Sequence, residues 1–382
     1  MNAYRDPKRY SWLLSLLVPA SLVVGPAVYL WRHQAWGLWV PVAVTYILIP
    51  LLDMLIGEDR SNPPEDAVAS LEADRYYRYI TYALVAAMWP CIIFCAWFVA
   101  TQHLPWHACL AVVISTGMMG GFCINVGHEL GHKRTVLEQT LAKLVLAPTG
   151  YGHFYVEHNR GHHRHVATPD DPASARMGES IYAFALRELP GAWRRAWALE
   201  RQRLGGAPWH WKNEVLQPLA LTILLWTALA AWLGAGILLF MLAMSLWANF
   251  LLTSANYIEH YGLLRQIAPN GKPEPCQPHH SWNSNHVVTN WMLFHLQRHS
   301  DHHAHASRRY QSLRNFDEVP RLPNGYFGMF LLAYVPPLFF AVMNPRLLEA
   351  VGRDSARINF QPGKRERLSE RYGIEDRDHT FS

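Results

Sequence analysis

Histidine is concentrated in four short segments of the chain. Of the 21 histidines, 17 lie between residues 128 and 305. The segments read GHELGHK, EHNRGHH, NYIEHYG and LQRHSDHH, and their histidines are His128, His132, His158, His162, His163, His260, His299, His302 and His303. Spacings of three and four residues recur in them, and such spacings place side chains on one face of a helix. Two imidazoles on one face can bind a single ion.

The number of these histidines indicates two ions rather than one. A tetrahedral ion accepts four ligands, so nine imidazoles are too many for it. An adjacent pair such as His162–His163 points in two directions and can offer one ring to each ion. Imidazole suits zinc, copper, iron and nickel, and no cysteine lies near the segments to favour a softer ion. A dinuclear, all-nitrogen site at a membrane surface suits redox-active iron better than structural zinc.

Two other kinds of metal protein compete with this interpretation. HELGH at 128–132 matches the HExxH pattern of zinc metalloproteases, in which two histidines bind zinc and the glutamate is the general base. A protease needs one further ligand, and the additional segments would have no role. A metal transporter would carry ionisable ligands inside its spans, whereas these segments lie just beyond the ends of spans.

The elements that position the histidines are predicted to be membrane helices. The chain is 51% hydrophobic and only 16% charged, against about 25% charged in soluble domains. A spanning helix needs about 20 apolar residues, and six segments qualify: 12–31, 36–56, 80–100, 106–126, 215–233 and 236–256. Short turns join them in pairs. The prediction is an all-α polytopic membrane protein with six helices in three hairpins.

The distribution of lysine and arginine predicts the orientation of these helices. With these spans, the three short turns hold one basic residue, Arg32, and the other 33 lie on the opposite face. Because basic residues favour the cytoplasmic side, both termini and the histidine segments are predicted to be cytoplasmic. Two further apolar stretches, 139–156 and 325–343, are interrupted by proline, glycine or lysine. We expect both to be packed or interfacial segments.

The four histidine segments, taken at full length, resemble a known family. The stretches NVGHELGHK at 125–133, EHNRGHHRHVATPDDPASARMGESIY at 157–182, NYIEHYGLLR at 256–265 and LQRHSDHHAHASRRYQSL at 296–313 are similar to those of AlkB-type alkane 1-monooxygenases. These enzymes belong to the superfamily of membrane fatty acid desaturases and hydroxylases. The likeness runs from about residue 10 to 345. Fatty-acyl or sterol desaturases share three of the segments but lack, as a rule, the NYIEHYG element.

The resemblance implies an activity and its partners. It implies that the nine histidines bind two non-haem irons and that O2 hydroxylates the terminal carbon of medium-chain n-alkanes to primary alcohols. Electrons would come from rubredoxin, itself served by rubredoxin reductase. This chain has no CxxC pair, so the rubredoxin would be a separate chain or a fused domain outside this sequence. The implied location is the bacterial inner membrane, with lipid as a neighbour and no nucleic acid as a partner.

The sequence also suggests an organisation around the site. Residues 1–257 would form the spans and the first two histidine segments, 258–345 would complete the di-iron site and 346–382 would be a basic tail, with one catalytic domain over 10–345. Carboxylates usually orient metal-binding histidines, and the candidates adjacent to them are Glu129, Glu157, Glu259 and Asp301, with Asp170 and Asp171 following the second segment. Substrate-binding residues are unknown beyond the apolar faces of the second, fourth and sixth spans.

Several charged and histidine side chains near the segments have open roles. The basic residues around the site could dock an acidic electron carrier or simply contact lipid headgroups, and they are Lys133, Arg134, Arg160, Arg164, Arg308 and Arg309. Arg298 is a further possible contact for lipid or carrier. The remaining histidines after His107 fit no spacing, and they are predicted to be solvated or to support the site: His153, His165, His210, His279, His280, His286, His295, His305 and His379.

Overall fold

The computed structural model describes residues 4–374, and it is helical with no strand among those residues. Six helices are long and apolar enough to cross a membrane: α1 (Ser11–Arg32), α2 (Ala35–Ile56), α4 (Arg75–Thr101), α5 (Trp106–Gly131), α9 (Leu216–Leu233) and α10 (Ile237–His260). The predicted all-α class with six spans is therefore confirmed. His379 and the end of the predicted basic tail lie outside the described residues.

Shorter helices connect and cover the six spans. They are α3 (Glu65–Ala73), α6 (Val136–Leu146), α7 over 154–165, α8 (Ile181–Arg203), α11 (Val287–Met292), α12 (His299–Ala304), α13 (Tyr326–Ala333), α14 (Pro336–Ala350) and α15 (Arg365–Tyr372). Short 3-10 turns occupy Ala147–Thr149, Pro278–His280, Tyr310–Ser312 and Ser355–Arg357. The predicted division of the chain at 257 and 345 stays a prediction.

The long helices extend beyond the apolar runs that predict them. α5 continues to Gly131 rather than 126, and α10 continues to His260 rather than 256. α4 begins five residues before the predicted start because the Asp74 carboxylate accepts a hydrogen bond from the Tyr76 backbone N–H at 2.9 Å and caps the helix. The extra turns of α5 and α10 are polar and buried, and they bring the first and third histidine segments within reach of each other.

The two additional apolar stretches form no straight span. The first is divided between α6, which has 11 residues, and the short elements that follow it, so it is too short to cross a bilayer. The second consists of α13 and α14, and the chain bends by 119° between these two helices. This geometry is that of a broken span or a re-entrant pair, and its interfacial position stays a prediction.

Glycines let α5 and α10 pack closely. A Cβ atom on Gly117 would lie 2.8 Å from the Met244 carbonyl oxygen, and one on Gly120 would lie 2.7 Å from the Ala248 Cβ. Small residues of this kind allow the backbones of membrane helices to approach. The close contact fixes the relative position of the two helix ends that carry His128 and His260.

Replacing Gly117 with alanine is expected to lower the free energy of unfolding by about 1–3 kcal/mol, the usual cost of overpacking. The new methyl group would meet a backbone oxygen, which cannot move away as a flexible side chain could. Thermal unfolding in one detergent measures the change. Gly236→Ala is the matched control, since a Cβ there meets nothing within 4 Å. Equal unfolding temperatures for the two variants would contradict this account of the packing.

Candidate metal centre

Four elements bring the nine histidines of the sequence segments together. His128 lies on the last turn of α5, and His132 follows that helix directly. His260 is the last residue of α10. The second segment lies in α7 and the fourth in α12, and both are short helices at the same end of the spans. Within a segment, the spacing of residues along a helix places the histidines near each other. The packing of the spans sets the distances between different segments.

The nine side chains form two groups. The first contains five residues, and the ligand atoms of its members lie within 4.8 Å of one another: His128, His132, His158, His163 and His302. The second contains four residues under the same limit: His162, His260, His299 and His303. The adjacent pairs divide between the groups. The second and fourth segments therefore each supply side chains to both groups.

A π-helical turn over His158–His162 makes this division in the second segment. Such turns occur often at functional sites because they alter the direction of successive side chains. Here His162 turns to the group of four, while His158 and His163 on either side turn to the group of five. Sequence spacing predicts that adjacent histidines diverge, but not this local widening of the helix.

The Nε2 atoms of the rings converge at short distances. In the group of five, the His128 and His302 Nε2 atoms are 2.9 Å apart and those of His163 and His302 are 3.0 Å apart. In the group of four, the His299 and His303 Nε2 atoms are 2.9 Å apart. A neutral imidazole has one N–H and one lone pair, so rings that meet at Nε2 cannot all donate to each other. A cation at each centre would satisfy the lone pairs.

Burial favours the neutral, ligating form of these rings. Desolvation, followed by the neighbouring imidazoles, lowers the pKa values of His158, His163, His302 and His303 well below their usual range. Neutral imidazole is the form that binds metals. The donor set fits two ions that accept nitrogen ligands, and the ligand roles of the nine residues stay predictions.

Asp171 orients one of the rings from outside the group. Its Oδ2 atom lies 2.9 Å from His162 Nδ1, so the Nε2 atom of that ring faces the group of four. Burial raises the pKa of the Asp171 carboxyl, but His162 and Arg195 outweigh that effect and hold the pKa well below its usual range. A carboxylate bonded to the outer nitrogen fixes the tautomer and raises the basicity of a ligating histidine.

The four carboxylates that lie next to histidines in the sequence have other neighbours. Glu129 accepts from Lys133 at 3.0 Å, Glu157 pairs with Arg195, and Asp301 accepts from Arg308 at 2.8 Å. Glu259 alone of the four approaches a site nitrogen, since its Oε2 atom is 3.4 Å from His299 Nε2. Its other oxygen accepts from the Tyr326 hydroxyl at 2.8 Å.

These contacts weaken the metalloprotease alternative. In that class the glutamate of HExxH must reach the metal-bound water. Here Glu129 is bound by Lys133 and by the Tyr310 backbone N–H at 3.4 Å. Its carboxylate is already occupied and is directed away from the imidazole groups.

A third cluster resembles a metal site only by distance. Ligand atoms of Glu274, His279 and His280 lie within 4.8 Å of one another. However, His280 Nδ1 accepts a hydrogen bond from the Gln277 backbone N–H at 2.9 Å. The proton of the neutral ring is then on Nε2, which lies 3.2 Å from the Glu274 carboxylate. That nitrogen has no lone pair left for an ion, so we interpret the cluster as a hydrogen-bonded pair.

Most of the basic side chains around the site are already paired. Arg160 binds Glu200 and Glu214, Arg309 binds Glu138 at 2.8 Å, and Lys133 is buried. Arg298 is 1% exposed and donates to the backbone oxygens of Leu313, Asp59 and Ser61. Arg298 therefore joins the fourth segment to the loop after α2, and its predicted contact with lipid or a carrier is wrong. Its role is structural because no solvent reaches it.

An apolar cavity of about 450 Å³ opens onto the histidine groups from among the spans. His128, His158, His299 and Glu259 line its polar end. The second, fourth and sixth spans line it, as the sequence suggests. The first span, the segment after α10 and helix α13 also contribute, and these three are not among the substrate-site elements predicted from the sequence. Leu17 and Leu48 line the cavity while also facing the exterior, so the wall towards lipid is one side chain thick.

Glu188 on α8 is a buried carboxylate beside this cavity. It accepts from Thr253 at 2.7 Å, from Tyr151 at 3.3 Å and from Asn256 at 3.3 Å, and Asn256 lines the cavity. Burial raises the pKa of Glu188 from 4.5 to about 7, and the three donors lower it only in part. Because the folded pKa lies above the ordinary one, Glu188 favours the folded state below pH 4.5 and loses that contribution as the pH rises through 7.

Glu188→Gln is therefore expected to reduce the loss of stability between pH 5 and pH 8. The amide stays neutral, so the unfolding temperature should fall by roughly 2–5 °C less over this interval than in the unmodified protein. Thermal unfolding in buffers of equal ionic strength checks this. Glu370→Gln, on an exposed turn of α15, is the control. An unchanged pH dependence in Glu188→Gln would show that Glu188 titrates normally.

Comparisons with known proteins agree with the geometry of the centre. The fatty acid desaturase family model matches residues 104–333, which include all nine histidines. Alkane 1-monooxygenase 1 of Alcanivorax borkumensis is 51% identical over 98% of this chain and 93% of its own length. The alkane 1-monooxygenase of Ectopseudomonas oleovorans is 48% identical over 99% of this chain and 95% of its own length.

The chain belongs to the alkane 1-monooxygenase family. A more distant relative is the xylene/toluene monooxygenase hydroxylase component XylM of Pseudomonas putida, which is 28% identical over 86% of this chain and 87% of its own length. The likeness to alkane 1-monooxygenases covers the spans, the cavity walls and the histidine segments alike. The resemblance seen in the four sequence segments is thus confirmed at the level of the whole chain.

Proposed function

We propose that the protein is an alkane 1-monooxygenase that hydroxylates the terminal carbon of medium-chain n-alkanes with O2. The observation that carries the proposal is the direct opening of an apolar cavity onto two buried, all-imidazole groups. The names of the two alkane 1-monooxygenases cited above support the reaction class. Only the reacting end of such a cavity is polar, as a substrate without any polar group requires.

Two irons are the proposed cofactor. The five-histidine and four-histidine groups would each hold one, and their neutral nitrogen donors suit iron. The irons, when bound, would supply the redox chemistry of O2 activation. The overall reaction converts an alkane, O2, two electrons and two protons into a primary alcohol and water.

The protein's own residues supply positioning and exclusion of water. The apolar walls hold the chain of the substrate, so that its methyl group lies near His128, His158 and His299. Asp171 fixes the ring of His162. Glu259, hydrogen-bonded by Tyr326 and facing the cavity, is the carboxylate best placed to hold a proton at this end. One methylene in an apolar pocket is worth about 1–3 kcal/mol, so chain-length preference should be broad.

The proposed setting is the bacterial inner membrane, with both termini and the histidine groups on the cytoplasmic side. Alkanes partition into lipid, and a cavity wall formed by lipid-facing side chains such as Leu17 and Leu48 gives them a short route to the site. The asymmetry of lysine and arginine supports this orientation. Rubredoxin, in trans or fused outside this sequence, is the proposed electron donor.

Purification in lipid followed by metal analysis and turnover tests the proposal. We expect two irons per chain and octanol from octane in the presence of O2, rubredoxin and its reductase. A second reaction with p-xylene tests whether the protein instead accepts the aromatic substrates for which the distant relative is named. Zinc in place of iron, or an absence of octanol, would refute the proposal. Preferential oxidation of p-xylene would keep the metal centre but replace the substrate.

A further inference from the structure

A second cavity, polar rather than apolar, lies on the other side of the first histidine segment. Its volume is about 460 Å³. It is lined by Glu72, Ala73, Arg78, Lys133, Arg134, Thr135, Glu138, Ser307 and Arg309. These residues come from the end of α3, the first turn of α4, the link between α5 and α6, the first turn of α6, and the chain after the fourth histidine segment. The activity proposed above gives the cavity no role.

The lining has four cationic side chains and two carboxylates, and the carboxylates are already engaged. Glu138 accepts from Arg309 at 2.8 Å and from the Thr135 hydroxyl at 2.7 Å. Glu72 accepts from the Arg309 backbone N–H at 3.2 Å. Arg309 is paired with Glu138 and Lys133 with Glu129. Arg78 and Arg134 together outweigh the single remaining carboxylate of Glu72, so the cavity retains positive charge.

Two arginines keep unused donors there. Arg78 donates from one Nη atom to the Glu72 carbonyl at 3.1 Å, but its Nε is buried with no acceptor among residues 4–374. Arg134 is exposed and has no ion pair or hydrogen bond of its side chain within the described part of the chain. A guanidinium offers five N–H donors in a planar fork. The geometry of such a fork matches phosphate as well as carboxylate.

Exposed apolar residues follow two of the lining residues in the sequence. Tyr79 follows Arg78 on α4, and Val136 and Leu137 follow Thr135 at the start of α6. All three are more than half exposed, and Val136 is 80% exposed. The cavity lies where the first turn of α4 meets the end of α5, and both helices are spans. A soluble anion would not need such apolar neighbours, whereas a lipid has an anionic headgroup and apolar chains.

We propose that this cavity binds the headgroup phosphate of an anionic glycerophospholipid of the phosphatidylglycerol class. Arg78 and Arg134 bind the phosphate oxygens, while the acyl chains lie against Tyr79, Val136 and Leu137. Basic pockets at the ends of membrane helices are known to bind anionic lipid headgroups. The site is independent of the proposed reaction, since none of the binding side chains belongs to the two histidine groups.

The bound lipid would stabilise the metal centre from outside. Lys133 follows His132, and its Nζ donates to the Arg308 carbonyl at 2.7 Å. The cavity walls thus join the chain after the first histidine segment to the chain after the fourth. Any ligand that binds this wall favours the folded arrangement of both segments, because binding to the native state alone stabilises it.

The test compares lipid-dependent stability and lipid retention in matched variants. Protein in detergent receives either phosphatidylglycerol or phosphatidylcholine, and its unfolding temperature is measured. Native mass spectrometry counts the retained lipid. We expect a larger stabilisation by phosphatidylglycerol in the unmodified protein, and its loss in the double variant Arg78→Gln with Arg134→Gln. Arg194→Gln with Arg201→Gln, two exposed residues of α8, should keep the preference.

The other outcomes each overturn the proposal. Equal stabilisation by the two lipids would show that the cavity does not select anionic headgroups. Equal protection by inorganic phosphate without lipid would assign the site to a soluble anion. Unchanged lipid retention in the double variant would place the lipid elsewhere. A rise in unfolding temperature with an acidic carrier protein that depends on Arg134, together with no effect of lipid, would make the cavity a protein-docking site.

Discussion

Replacing His260 with alanine is expected to lower octane hydroxylation by at least about two orders of magnitude. Removing a group that merely supports a metal ligand typically costs 10–100-fold, and loss of a ligand itself should cost more. His260 is one of only four residues in its group, and its Nε2 atom lies 3.2 Å from that of His299. Three imidazoles would remain, so iron should fall from two towards one per chain.

The control for this prediction is the substitution of His305, a nearby histidine outside the two groups. His305 follows His303 by two residues, is exposed and belongs to neither group. His305→Ala should retain both activity and iron. Because His260 is buried, His260→Gln serves as a second variant that fills the space without restoring the Nε2 lone pair. Full turnover in both His260 variants would remove this residue from the proposed ligand set.

Asp171→Asn is expected to lower iron affinity and turnover by about 10–100-fold. The carboxylate accepts from His162 Nδ1, and an amide nitrogen in its place would repel the N–H of that tautomer. The ring would then present the wrong nitrogen to the group of four. Iron content after dialysis against a graded chelator series measures the affinity, and octanol formation measures the turnover.

Asp170→Asn is the matched control for Asp171→Asn. The two residues are neighbours, but Asp170 is exposed and Asp171 is buried. Asp171 also binds Arg195 at 2.7 Å and Ser174 at 2.6 Å, so thermal unfolding must accompany the assay. A loss of stability with normal iron affinity would assign Asp171 a purely structural role. Equal effects of the two substitutions would contradict the orientation of His162 by Asp171.

Local spacing explains why much of this architecture could be predicted. The six spans follow from the lengths of apolar runs, because a bilayer sets the required length. Seven of the nine histidines have a partner three or four residues away, as metal-binding pairs on a helix do, while His163 adjoins His162 and His260 is alone in its segment. Both signals lie within short windows of sequence and need no knowledge of tertiary structure.

The remaining features depend on tertiary packing. The sequence does not distinguish Asp170 from Asp171, because only the fold directs the second towards His162. Adjacency in sequence also favours Glu129, Glu157 and Asp301, whose carboxylates are paired with Lys133, Arg195 and Arg308 instead. A residue next to a helical ligand points roughly 100° away from it around the helix axis, as 3.6 residues per turn require. Neighbours three or four residues away, or on another element, are better candidates.

Part of the cavity wall comes from stretches of the chain that carry none of the nine histidines. Helices α1 and α2 line much of the cavity but carry none of the nine histidines. Substitutions in these two helices can reshape the space for the substrate without removing a ligand. Selection can therefore alter which molecules are accepted while the reactive centre stays constant. The shape of the cavity can thus be altered within residues 11–56 without a change at any of the nine histidines.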